Sequence, residues 1–377
     1  MSKDDAPSPA GQLMHPLLGA DPATLAKVLT THGPIPPSRW PHAAMVALGC
    51  LGRQPFSLAE RAWVRARAPK KEDLAPPIFI LGHWRSGTTH LYNILGKSPR
   101  LGFVPPLVTG LPWDFLLLGR LLRPFLSRAL PEERFIDRIP VRIDSPQEDE
   151  AALANMQSVS FYHGLYFPRR LDHHVARGVF FDGCTPREIE RWENRFVYLI
   201  QKLAMLQPGR QIVIKNPVYT ARVAQLRRLF PEAKFIHIHR DPYRVFLSMR
   251  NFYERLASQL GLQKADLSNV DELILRTYER MMQKLLQDTQ DLPADRFVEL
   301  RYDELDDDPL AAVGRVYGEL GIDGWADDRP RFESYLASVA SYRKNRYEVA
   351  PDVIEKVGSR WQPLMERWGY RRPTLET

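Results

Sequence analysis

Gly82-His-Trp-Arg-Ser-Gly87-Thr-Thr89 follows a short apolar run, Ile78 to Leu81, and precedes Leu91, Ile94 and Leu95 at helical spacing. Glycines at 82 and 87 let the backbone turn tightly enough for successive N–H groups to face one anion. A helix opening at Thr88 adds the positive end of its dipole. Strand, turn and helix in this order suit phosphate binding. In nucleoside-triphosphate loops of the form G-x-x-x-x-G-K-[ST], the lysine after the second glycine reaches the γ-phosphate. Here Thr88 takes that place and the cation is Arg85, two positions before Gly87. Arg85 is thereby placed over the near end of a bound anion, which suits a donor with a shorter anionic chain than a triphosphate.

A second constellation lies at Lys234-Phe-Ile-His-Ile-His-Arg240-Asp-Pro-Tyr-Arg-Val-Phe-Leu-Ser248. It reads as a strand ending in Arg240, then Asp241 as cap and Pro242 in the first turn of a helix. Ligands of open α/β sheets gather at the carboxyl ends of the strands, so Arg240 is expected at the same edge as the loop. Ser248, about two turns into the helix, is positioned to meet the same anion from the other side.

Arg85-Ser86-Gly87-Thr88-Thr89 resembles the 5′-phosphosulfate loop of sulfotransferases, and the Arg240 and Ser248 pair resembles their 3′-phosphate site. The resemblance runs over roughly residues 76 to 370. It implies a P-loop-like α/β fold, 3′-phosphoadenosine 5′-phosphosulfate as co-substrate, no metal, and sulfuryl transfer to a hydroxyl. It also implies that Lys215, ending the strand of Ile214-Lys-Asn-Pro217, stands near the transferring group, and that Arg343 and Lys344 close on the nucleotide. Asp144-Ser-Pro-Gln-Glu-Asp-Glu150 and Gly82-His-Trp-Arg85 look like a bacterial subgroup of the family that includes a mycobacterial sulfotransferase of hydroxylated menaquinone. The general base departs from familiar patterns. Pro217 stands where aryl and steroid sulfotransferases carry a histidine, and Gly102-Phe-Val-Pro-Pro has no glutamate. Glu148 and Glu150 are left as candidates, Glu148 preferred, with Asp144 behind them. Glu148 also occupies a capping-box position after Ser145. His83, inside the loop, is a further candidate for donor contact or base.

The elements that must position these residues are legible as alternating strands and helices. Strands are expected at Ile78 to Leu81, Leu101 to Val104, Gln211 to Lys215, Lys234 to His239 and Arg296 to Arg301. Helices are expected from Pro186, at Val270 to Asp288, at Pro309 to Leu320 and at Pro351 to Trp368. The fold class is α/β: a P-loop-like parallel sheet flanked by helices, with an N-terminal helical extension and a long helical insertion. Residues 1–75 read as tail and extension, and 76–377 as the α/β domain. In the extension, Asp21-Pro22 starts one helix, and Ser57 with Glu60 forms a capping box for a second. A helix is expected over 144–156 with Ser145 as its cap. His173-His174 reads as a solvated loop, and His237 with His239 as hydrogen-bonded core.

Fifty-two Lys and Arg against 45 Asp and Glu give a net charge of +7 in 377 residues, which favours anionic partners. The basic residues are scattered without a nucleic-acid-binding signature. Two cysteines, Cys50 and Cys184, form neither a disulfide framework nor a metal pattern, and together with the lack of a signal peptide they suggest the cytoplasm. The apolar stretch 111–126, with Arg120, Arg123 and Arg128, reads either as a membrane-facing or acceptor-covering element or as a helix packed on the core. With the aromatic cluster 161–167 it favours a hydrophobic, lipid-like alcohol as acceptor. Two alternatives stay open: an atypical P-loop kinase, and a nucleotide-regulated adaptor that docks on membranes without turnover.

Overall fold

The run at 78–81 is buried along its whole length because it is the central strand of a five-stranded sheet. The computed structural model describes residues 15–122, 145–340 and 349–373. The strands are β1 (Ile78–Leu81), β2 (Leu101–Gly102), β3 (Gln211–Lys215), β4 (Lys234–His239) and β5 (Phe297–Arg301), in spatial order β2-β3-β1-β4-β5 with every pairing parallel. The chain passes from β1 to β2 and β3 on one side and to β4 and β5 on the other. The crevice at the carboxyl end of β1 is therefore a topological switch point, where ligands of open α/β sheets bind.

By its internal contacts the chain divides into two units. One comprises Leu74–Phe103, Gln207–Phe252 and Ser268–Thr377; the other comprises Met1–Asp73, Val104–Leu206 and Tyr253–Leu267. The first contains the sheet. Alternation along β1 sends Ile78 and Ile80 to one face, where they pack with Leu91, Ile236, Val298, Val313, Val316 and Phe332. Phe79 points to the other face, onto the rings of Tyr219, Phe230 and Phe235. With both faces covered, the strands read as continuous apolar runs, and each fully buried side chain contributes about 1.5–3 kcal/mol. Of the expected strands only β2 is short, ending at Gly102. Its ladder stops because the Gln207 side-chain amide takes both backbone groups of Phe103, at 3.1 and 2.7 Å. The other sequence-based bounds in this unit hold to within a residue.

The second unit is helical, and several expectations change there. The helix Pro22–His32 is capped by Asp21 as expected. Ser57 and Glu60 form no capping box, because their helix begins earlier, at Gln54, and both side chains turn inward. Ser57 Oγ donates to Asp114, and Glu60 forms a 2.6 Å ion pair with Lys202 in which both side chains are fully buried. A helix unannounced by its sequence, Trp40–Gly52, carries no charge along its length. Ser145 to Glu148 are not helical. The Gln147 N–H is drawn to Val104 O at 2.8 Å, and the helix starts only at Glu150 with Asp149 at its N-cap position, so Ser145 is not its cap. Asp144 lies outside the described residues. His173-His174 belongs to the helix Leu171–Phe180 rather than to a solvated loop, with the His174 ring buried against His32. Residues 112–116 are buried, as the core-packing reading of that stretch expected, whereas Leu117, Arg120 and Leu121 are exposed. Arg123 and Arg128 lie outside the described residues.

Candidate active site

Parallel pairing brings the carboxyl ends of β1, β3, β4 and β5 to one edge, and a glycine or a basic residue stands at each. β1 runs into Gly82, β3 ends at Lys215, β4 is followed by Arg240, and β5 ends at Arg301. The two loop glycines are required by geometry. A Cβ at Gly82 (φ +142°) would lie 2.4 Å from Ile238 O, and one at Gly87 (φ +99°) would lie 2.2 Å from the Tyr302 ring. Arg85 has a left-handed φ of 71°, a conformation costly for a side-chain-bearing residue and found where structure over-determines it.

The loop is braced from within and from neighbouring strands. Ser86 Oγ donates to His83 O at 2.8 Å, and Gly82 N–H donates to Thr220 Oγ1 at 2.8 Å. Thr220 sits in the turn Pro217–Ala221, which Asn216 caps through its side chain. The first helical bonds after the loop run from His90 and Leu91 N–H to Gly87 O. The amides of Gly87, Thr88 and Thr89 precede those bonds and line the positive end of the helix Thr88–Leu95.

The residues singled out from sequence meet here. Arg85 Nε donates to Ser248 Oγ at 2.8 Å, joining the loop to the second constellation. Arg240 donates to Arg85 O at 3.3 Å and lies 4.1 Å above the Tyr302 ring. Lys215, almost fully buried, donates to Thr89 Oγ1 at 3.2 Å. Asp241 caps the helix Pro242–Leu260 by accepting from Tyr243 N–H at 2.8 Å, which aims Ser248 back toward Arg85. Beside Arg240 opens a cleft of about 470 Å³ lined by Arg244, Arg301, Tyr302, Tyr370 and Arg371 among others. Sequence reasoning missed Tyr302 and Arg301. Arg301 carried the same signal as Arg240, an arginine ending an apolar strand; Tyr302 carried none, because its role comes from packing against Gly87.

His83 is buried with Nδ1 donating to Trp84 O at 3.0 Å, and burial lowers its pKa to about 4. It is a neutral ring that orients the loop. His237 and His239 are hydrogen-bonded core groups, to Glu299 at 3.0 Å and to the Tyr370 hydroxyl at 2.9 Å. Arg343 and Lys344 lie outside the described residues.

The two carboxylates considered as bases belong to the helical unit and differ in environment. Glu150 is buried, with Oε1 accepting from Ser160 Oγ at 2.7 Å and from Phe161 N–H at 3.0 Å, a bracing role. Glu148 is half-buried and accepts from the Tyr162 hydroxyl at 3.3 Å.

A model of the sulfotransferase family matches residues 76–327. Over 339 residues the chain is 30% identical to omega-hydroxy-beta-dihydromenaquinone-9 sulfotransferase Stf3 of Mycobacterium bovis and to the protein of that name from Mycobacterium tuberculosis, spanning 90% of this chain and 87% of each relative. The crystal structure of sulfotransferase STF9 from Mycobacterium avium shares the fold at a TM-score of 0.63 and 18% identity, covering 94% of this chain and 97% of that one. STF1 from Mycobacterium tuberculosis does so at 0.63 and 16%, covering 94% of each.

Proposed function

The chain belongs to the sulfotransferase family, and from that premise we propose that it moves a sulfuryl group from 3′-phosphoadenosine 5′-phosphosulfate to the hydroxyl of a hydrophobic, lipid-like alcohol. The observation that carries the donor assignment is the Arg85 to Ser248 hydrogen bond, with Arg240 on the Arg85 carbonyl: two anion-facing motifs form one connected site. The residues fit a donor with two separate phosphate positions. The close approaches at Gly82 and Gly87 leave backbone amides for one, Arg240 and Ser248 stand by the other, and the γ-phosphate lysine of triphosphate loops is absent.

In the proposed reaction the acceptor oxygen attacks sulfur in line with the bridging oxygen of the 5′-phosphosulfate. The new O–S bond forms as the old one breaks, and the electron pair leaves on the 5′-phosphate, giving adenosine 3′,5′-bisphosphate. Arg85, Lys215 and the Gly87 to Thr89 amides, with the Thr88 and Thr89 hydroxyls, stabilise the charge developing there. Ser86 holds the loop's shape, and Arg240 and Ser248 hold the 3′-phosphate. Arg343 and Lys344 complete the nucleotide contacts in this proposal. The hydroxyl proton goes to a carboxylate, for which Glu148 is the better choice because Glu150 is committed to bracing Ser160 and Phe161. No metal enters the scheme.

The acceptor class rests on the 30% identical relatives, whose name specifies a hydroxylated menaquinone. The proposal extends to the cytoplasm and the inner membrane face as the place of action. Among the described residues no helix is long and apolar enough to cross a membrane.

The test is thermal stabilisation by adenosine 3′,5′-bisphosphate against ATP with Mg²⁺, on wild type and Arg240→Ala. A ligand at 100-fold its dissociation constant adds about 2.7 kcal/mol of stability. The expected result is stabilisation by the bisphosphate, lost in the variant, followed by sulfate transfer to long-chain isoprenoid alcohols. Stabilisation by ATP and Mg²⁺ alone would overturn the reading in favour of a kinase; binding without transfer to any alcohol would favour the adaptor.

A further inference from the structure

The helical unit contains a second cationic cleft, of about 520 Å³, that shares no residue with the donor site. Arg61, Arg65, Lys70 and Arg195 line it together with Tyr198 and Trp113, and no carboxylate among the described residues does. Two guanidiniums crowd the buried Trp113 indole, Arg61 at 3.8 Å and Arg195 at 4.8 Å from the ring centroid. The nearby acids are otherwise engaged. Asp21 caps its helix and pairs with Arg61 through Nη2 at 3.3 Å, and Glu60 is enclosed with Lys202. Among the described residues, Arg61 Nε, Arg195 Nε and the Tyr198 hydroxyl are buried with no hydrogen-bond partner. Burial, then the charge of Arg61, lowers the pKa of Arg195, and burial raises that of Tyr198 to about 12, so the phenol remains a donor.

Like charges held together with unpaired buried donors are costly, and an acceptor-rich anion would offset that cost. Arginine forks match phosphate oxygens in pairs, and the volume exceeds what one phosphate fills. We propose that this cleft is a second anion site that takes a diphosphate or phosphoester group. That group has two sources, a free anion or the headgroup of an anionic lipid. Leu58, well exposed, shares the helix face of Arg61 and Arg65 at i, i+3 and i+7, so an apolar contact beside the headgroup is available.

The test titrates inorganic diphosphate calorimetrically into full-length protein saturated with adenosine 3′,5′-bisphosphate, which occupies the donor site. In parallel, flotation is measured with phosphatidylglycerol and with phosphatidylcholine vesicles. The variants are Arg65→Gln/Lys70→Gln, both on the exposed rim, and Arg195→Gln. The expected result is diphosphate binding that persists beside the bisphosphate and weakens about tenfold or more in each variant, with bisphosphate affinity unchanged. Binding to phosphatidylglycerol vesicles alone, lost in the same variants, assigns the site to a headgroup and also supports it. Absence of both, or binding that the variants leave unaltered, overturns the proposal. Failure of the sulfotransferase reading is distinguishable, because it appears as absent bisphosphate binding whatever this cleft does.

Discussion

Replacing Gly87 by alanine separates two costs that the loop avoids. Gly87 sits at φ +99°, ψ 3°, where a Cβ is strained, and that strain costs about 1–3 kcal/mol. The added Cβ would also lie 2.2 Å from the Tyr302 ring, and overpacking of this kind costs about another 1–3 kcal/mol. The total, about 2–6 kcal/mol, is a large part of a typical stability of about 5–15 kcal/mol. Displacing Tyr302 also moves the surface on which Arg240 rests at 4.1 Å, so bisphosphate affinity should fall with stability. The assay is a double-mutant cycle of Gly87→Ala and Tyr302→Ala, followed by urea unfolding and by calorimetry with adenosine 3′,5′-bisphosphate. In the Tyr302→Ala background, Gly87→Ala should cost only the backbone strain, leaving a coupling of about 1–3 kcal/mol between the positions. Zero coupling would refute the claim that Tyr302 packing is what demands glycine. An unchanged bisphosphate affinity in Gly87→Ala would refute the link from loop to nucleotide.

Glu148→Gln should lower kcat by about 10²–10⁴-fold with no loss of thermal stability, as expected for a lost base. Glu150→Ala should instead destabilise by about 1–3 kcal/mol for each donor left unpaired, Ser160 Oγ and Phe161 N–H, measured by urea unfolding. Lys202→Met should cost about 3–5 kcal/mol by leaving the Glu60 charge buried alone. Adding Glu60→Gln, which keeps an acceptor for Leu117 N–H, should recover most of it in the same assay. His32, His163 and His174 lie in contact, and burial lowers their pKa values to about 3, 4 and 2. The unfolded chain therefore binds protons that the folded one refuses between its ordinary pKa of about 6.5 and about 4. Stability is fully present above that window and should fall with pH through it, by up to about 1.4 kcal/mol per pH unit for each histidine. A urea midpoint unchanged between pH 7 and 5 would contradict this.

The candidate site was legible because its signals are local. An apolar run, glycines at fixed offsets and an Asp-Pro cap define β1, β4 and the turns after them from a few adjacent residues, whatever the rest of the chain does. Parallel order then places Arg85, Lys215, Arg240 and Ser248 at one edge, since the carboxyl ends of a parallel sheet coincide. The fold class, the bounds of four of the five strands and the grouping of these four residues at one edge thus followed from the sequence alone. Tertiary structure decided what a local pattern leaves degenerate. Ser57-Leu-Ala-Glu60 would suit a helix cap equally well, but Lys202 and Asp114, distant in the chain, draw both side chains into the core. Ser145 to Glu148 has a capping pattern that loses to one backbone bond from Gln147 to Val104, and Glu148 is left half-buried. The requirement for glycine at 87 depends on Tyr302, and the cationic cleft on Arg61 and Arg195 sharing one indole. In each case the deciding partner is remote in sequence, so its energy is set by packing and leaves no spacing or period to be read.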